Sequence, residues 1–306
     1  MKKHILFFLV MIFSFGIVVA QDEETPKPKK KKDRPVTEMF GSGILIDEQT
    51  SVIAEKKTLE MMIQHRFGLI KDNGAKDLWG VYAPSANTRM GLNYSITNNL
   101  MVGYGITRKN MYSDFQVKYN VLNQTRKNTI PLSVTLYGNM AIDGRNESVF
   151  TTSTADSAYK FSNRLSYFAQ VLVSRKFNDW FSFGINGSFT HYNSVKADTA
   201  NIKGMNHDVI GIGFMGRFKF SPQSSIVFHY SIPLELKNMS ENTVVTNIPK
   251  SNFGIGYRVA TATHSFEVFI TASNGIIAQD NYMHNTSDWT DGEFRIGFNI
   301  TRLWGF

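Results

Sequence analysis

The sequence predicts an all-β fold, a membrane-spanning antiparallel β-barrel of about 12 strands within a range of about 10–14. Three observations predict it. Apolar and polar residues alternate with period two along most of the 306-residue chain, as on a strand with different surroundings on its two faces. The connections between these stretches are alternately short and long. Beyond the N-terminus no segment has the roughly 18 uninterrupted apolar residues of a helical span.

Taken in order, Lys2 and Lys3 precede an uncharged apolar run at 5–19, followed by Ala20 and Gln21. This reads as a secretory signal over 1–20, cleaved near Ala20. The chain has no Cys, which excludes lipid attachment at a lipobox Cys, disulfides and thiol chemistry. The formal charge is +8, and part of it is local: residues 25–35 read TPKPKKKKDRP. Such a Pro/Lys run buries too little apolar area to order itself, so 21–40 reads as a disordered basic linker. It is either a solvated spacer or a contact for anionic lipid, peptidoglycan or another periplasmic envelope component. Export leaves nucleic acid out as a partner. Residues 41–57 form a periplasmic lead-in whose Gly43-Ile44-Leu45-Ile46 tucks into the periplasmic mouth.

Strands are predicted at 58–67, 87–96, 100–108, 112–122, 131–142, 165–177, 181–192, 206–220, 224–234, 251–262, 263–273 and 293–306. A mean hydropathy of −0.20 is no obstacle, because alternation hides a lipid-facing stripe from averages. The stripe is plain in Leu100, Val102, Tyr104 and Ile106, and again in Ile210, Ile212 and Phe214. Aromatics make up 13% of residues, enough for interfacial girdles. Short turns at 97–99, 178–180, 221–223 and 261–263 alternate with long polar connections at 68–86, 143–164, 193–205, 235–250 and 274–292. An even strand count leaves both termini in the periplasm. Two connections break the rhythm: 109–111 is short where a long external loop belongs, and 123–130 is longer than a periplasmic turn.

The last predicted strand places Phe294, Ile296, Phe298, Ile300, Arg302, Trp304 and Phe306 on one face. Glu293, Arg295, Gly297, Asn299, Thr301, Leu303 and Gly305 take the other. A terminal aromatic on an alternating strand resembles the signature read by the barrel-assembly machinery of Gram-negative outer membranes. That resemblance implies outer-membrane location, contact with outer-membrane lipid, and an assembly signal at Trp304 and Phe306. Thr58-Leu59-Glu60 leading into Ile63-Gln64-His65-Arg66-Phe67-Gly68, with Asn93-Tyr94 and Val102-Gly103, resembles a family of Gram-negative outer-membrane β-barrel proteins of unassigned function. The likeness runs from about residue 40 to the end. It implies the barrel and no chemistry. His65 and Arg66 would seat the first strand at the rim, with Arg66 in a lumen salt bridge.

The inward face is predicted to carry the basic residues Arg66, Arg89, Lys118, Lys176, Arg217, Lys219, Arg258 and Arg295. The acidic residues there are Glu60, Glu267 and Glu293. A wet lumen of this charge would favour anions, making the protein a passive channel for small, preferably anionic solutes. Opposite charges could instead crosslink across the interior and close it, giving a non-conducting structural or partner-binding envelope protein. Inward glycines, among them Gly211 and Gly213, leave interior room. Beyond the predicted signal, six scattered histidines (His65, His191, His207, His229, His264, His284) have no metal-ligand spacing. His207-Asp208 is no dyad, because adjacent strand residues face opposite ways. No catalytic residue, metal or cofactor is expected, and a surface lipid hydrolase is the lesser reading. Asp156-Ser157-Ala158 and Asp198-Thr199-Ala200 match a short O-glycosylation pattern that chance also produces.

Overall fold

The computed structural model describes residues 33–150, 159–195, 197–199, 202–203, 206–234, 244–245 and 247–306. The predicted signal, most of the linker, all of Asp156-Ser157-Ala158, and Ala200 of the second short pattern lie outside these.

Twelve long strands pair edge to edge and close. They are β3 (Thr58–Leu69), β4 (Asn87–Ser95), β5 (Leu100–Thr107), β6 (Tyr112–Leu122), β7 (Ser133–Ile142), β8 (Leu165–Lys176), β9 (Phe181–Tyr192), β12 (Asp208–Lys219), β13 (Ser224–Leu234), β15 (Asn252–Ala260), β16 (His264–Thr271) and β17 (Arg295–Gly305). All neighbours are antiparallel, and β17 meets β3 with Gly305 opposite Thr58 and Asn299 opposite Gln64. Closure satisfies every ladder and leaves no edge, the condition for strands in hydrocarbon. The alternation sets which way each side chain points: along β3, Thr58, Glu60, Met62, Gln64 and Arg66 turn inward and are buried. Outward residues such as Leu92, Tyr104, Ile106, Phe115, Phe266 and Val268 are exposed in the isolated chain, an apolar belt suited to lipid.

The two connections that broke the predicted rhythm have tertiary causes. The 123–132 connection receives the incoming chain: Pro35 bridges Thr125, Val36 N–H donates to Gln124 O at 2.8 Å, and Arg126 N–H to Arg34 O at 2.9 Å. The short link after β5 lies against the connection between β16 and β17, where Lys109 pairs with Asp280 at 2.9 Å. Three short strands, β10 (Ala197–Thr199), β11 (Ile202–Lys203) and β14 (Val244–Val245), form a separate small sheet from segments read as loops.

The core sits inside the barrel. From the end where the chain termini of the barrel lie, residues 38–53 enter the lumen and form a hairpin, β1 (Ile44–Leu45) and β2 (Glu48–Gln49). Its Phe40, Leu45 and Ile46 pack with Met39 against the inward Leu172, Met215, Val227 and Phe269. From the opposite end the 272–294 connection sends in a helix, Ala278–His284, whose residues 278–283 are buried. The sequence predicts a polar connection at 274–292 with no helix in it. At seven residues, with no side-chain cap at Ile277, the helix leaves little periodic signal and depends on tertiary packing.

Candidate functional site

The site is the filled lumen, and it begins at the hairpin turn. Ile46 holds φ 53°, an unfavourable region for a β-branched residue that persists where surroundings over-determine it. They do so here: Ile46 N–H donates to Glu267 Oε1 at 2.6 Å, and its carbonyl accepts from Arg66 Nη2 at 3.0 Å and Asn299 Nδ2 at 2.9 Å. The next residue, Asp47, is clamped from the wall. Arg66 reaches it at 2.6 Å, Thr271 Oγ1 at 2.6 Å, Asn252 Nδ2 at 2.9 Å and His229 Nε2 at 3.5 Å. The Arg66 guanidinium also lies 4.4 Å over the Phe269 ring.

Glu48 follows, and its four partners are neutral. Ser231 Oγ donates at 2.5 Å, Tyr282 O–H at 2.8 Å, Asn186 Nδ2 at 3.0 Å and Gln170 Nε2 at 3.1 Å. Three come from the wall and Tyr282 from the inserted helix, so the two fillings meet at this carboxylate. The wall is shaped for the meeting, since a Cβ at Gly211 would lie 2.2 Å from the Tyr282 ring. The room left by this inward glycine is therefore occupied.

The eight basic residues read as lumen-lining mostly address the inserted segment. Besides Arg66, Lys118 donates to Gly43 O at 2.7 Å and Arg217 to Glu38 O at 2.6 Å. Lys219 pairs with Glu38 at 2.5 Å, and Lys176 reaches Thr37 O at 3.5 Å as well as Asp179 at 3.0 Å. Arg258 bonds Phe40 O and Ile44 O while pairing with Glu267 on the neighbouring strand. Arg66, Lys118, Arg217, Lys219 and Arg258 thus make five of the eight that bond residues 38–53, while Lys176 reaches the residue just before them. Lys176 and Lys219 remain partly exposed at the rim. Arg89 pairs with Asp114 at 2.6 Å on the wall itself, and Arg295 bonds Ser287 and Ala272 O in the connection before β17. The hydrogen bond from Lys219 is the main reason the Glu38 carboxyl lies below its ordinary range.

The acidic residues divide. Glu60 accepts from Asn93 at 2.8 Å inside the barrel, and Glu267 sits under the hairpin. Glu293 corrects the sequence reading: it is not in the lumen. A turn at Trp289–Asp291 is stopped by left-handed Gly292, strand pairing starts only at Arg295, and Glu293 is left half-buried in the connection. There it accepts from Asp288 N–H at 2.9 Å, with Lys71 at 3.7 Å. His65 faces outward and stacks on Phe298 at 5.1 Å. Trp304 lies under Arg302 at 5.1 Å, and Phe306, exposed, donates its N–H to Lys57 O at 3.0 Å.

Asp47, Glu48 and Tyr282 are the residues sequence reasoning missed. Two acids directly after an apolar triplet were the available signal, and 2-residue strands gave no alternation to carry it. One cross-strand contact has a catalytic look: His191 meets Asp208 at 2.7 Å, opposite it in the ladder. The other ring nitrogen of His191 faces Asn193 Oδ1 at 2.9 Å, so neither nitrogen serves a hydroxyl nucleophile. No cluster of three or more His, Asp or Glu able to hold a metal occurs among the described residues.

A family model described as "Membrane bound beta barrel domain (DUF5777)" matches residues 40–304. The COG4313 outer membrane channel from Pseudomonas putida F1 is similar in fold. It shares 13% identity and a TM-score of 0.50, covering 83% of this chain and 97% of that one. A KdgM porin (6% identity, TM-score 0.44, covering 80% and 98%) and a NanC porin (10%, 0.45, covering 81% and 99%) also match. At these identities the likeness concerns the fold alone. No curated protein matches the sequence.

Proposed function

The chain belongs to the family of membrane-bound β-barrel domains, and from that premise we propose an outer-membrane protein whose lumen is closed at rest by its own N-terminal segment. In this form it is non-conducting. The observation that carries the reading is that five of the eight basic lumen residues bond the inserted segment. A basic excess facing water would favour anions; here it serves as the seat of the plug. Magnitudes favour a lasting seat. Burying Phe40, Leu45 and Ile46 contributes about 1.5–3 kcal/mol each. Withdrawing Asp47 would also break its buried pair with Arg66, a loss that water entering the open lumen would partly offset. Passive anion passage is the second reading, favoured by the same basic residues once the segment is withdrawn.

On this reading the signal is removed near Ala20, the Lys-rich linker lies in the periplasm, and the fold is delivered by the barrel-assembly machinery. The natural absence of Cys gives a direct test. With Gly43→Cys, where an added Cβ meets nothing closer than 3.6 Å, the thiol should resist a water-soluble maleimide in the folded barrel. Lys56→Cys, exposed, should react at once. Equal labelling of both in folded protein would contradict the closed lumen.

A further inference from the structure

A cavity of about 320 Å³ opens at the long-loop end, beyond the plug and on the far side of the inserted helix. Its lining includes Lys109, Asp143, Arg145, Phe150, Arg164 and Asp280. The two carboxylates are already engaged. Asp143 accepts from Arg145 on both oxygens, Nη2 to Oδ2 at 2.6 Å and Nε to Oδ1 at 3.0 Å, and Asp280 pairs with Lys109 at 2.9 Å and His284 at 2.8 Å. Three guanidinium or ammonium groups against two carboxylates leave one positive charge over, and the pairing assigns it to Arg164.

Arg164 is oriented in advance. Its Nε donates to Tyr159 O–H at 2.5 Å and its Nη1 to the carbonyls of Asp143 at 2.8 Å and Arg145 at 2.5 Å. All three partners are neutral. The guanidinium is held near two rings, 5.1 Å from Phe150 and 5.2 Å from Tyr159, which fixes its plane and leaves the Nη2 edge for a ligand. Tyr192 closes another part of the lining with its ring, while its hydroxyl is buried toward Tyr112 and Ser166. Phe150, Tyr112 and Tyr192 give the remaining wall an aromatic character.

From this geometry we infer that the cavity is a binding site for a small organic monocarboxylate with an apolar or aromatic body, its carboxylate on Arg164 and its body against the rings. Charge-assisted donation from a fixed guanidinium is the strong form of such a contact, and the volume is at the lower end of small-molecule sites. The inference goes beyond the closed-lumen reading, and its failure would leave that reading intact.

The test uses the full chain folded in detergent, with ligand-observed NMR on benzoate, benzyl alcohol and benzylammonium. Benzoate should bind saturably and the other two should not. Arg164→Gln should weaken benzoate at least tenfold. Asn163→Asp, which removes no bond made by Arg164 but adds a negative charge to the lining, should also weaken it, with heat-modifiable gel migration confirming that both variants fold. Absence of saturable benzoate binding to the folded wild type would overturn the inference. So would binding of benzyl alcohol as tight as that of benzoate, or benzoate affinity unchanged in both variants.

Discussion

Asp47 and Arg66 are 19 residues apart in sequence and 2.6 Å apart in space, and neither is tolerable alone at that depth. Arg66→Met should therefore destabilise the folded barrel by about 3–5 kcal/mol, because it strands a buried carboxylate. Adding Asp47→Leu should recover part of that loss, and denaturant midpoints of the two variants check it. Tyr282→Phe removes one of four donors to Glu48, at an expected cost of about 1–3 kcal/mol. Asp280 supplies a pH handle. Burial alone would raise its carboxyl, but Lys109 and His284 more than offset this and hold it well below the usual range. A depressed folded value means that the clamp on the inserted helix is fully present above about pH 4 and is lost as pH falls through the folded value. Lys109→Met should move that loss to higher pH, measured as protease cleavage of the 272–294 connection against pH. Alternation in the sequence indicates the face a residue occupies and is silent on what it meets there. Arg66 illustrates this, because its partner lies outside the strand pattern.

Strands were legible because their signal is local. The alternation at Leu100, Val102, Tyr104 and Ile106 needs no distant residue to be read, and β5 follows it. The inserted helix was not legible. It is held by Tyr282 on Glu48 and Gln279 on Asn139, contacts that no seven-residue window contains. The irregular connections at 109–111 and 123–132 belong to the same class, since each is sized by a segment from elsewhere in the chain. At this scale the two ends of the chain should separate by experiment. Deleting Phe306, which is exposed at the rim, should lower membrane insertion, scored as the heat-modifiable fraction. Phe40→Ala should leave insertion near normal and instead weaken the plug by about 3–5 kcal/mol through the cavity it creates.

The whole molecule is a barrel filled from both ends, with Glu48 as the point of contact between plug and inserted helix. An interior built this way behaves as a protein core: the apolar cluster around Leu45 and Phe269 excludes water, and the buried ion pairs are tolerated because each is bonded on several sides. Five of the eight basic residues of the wall are then held by the plug in the closed form, and removing residues 36–53 frees them for solutes. Planar-bilayer conductance tests this most directly. The full chain should show no steady channel events, whereas a folded variant lacking 36–53 should conduct with anion preference, a preference that Arg217→Glu with Lys219→Glu should shift toward cations. Steady conductance by the full chain, equal to that of the deletion variant, would contradict the account.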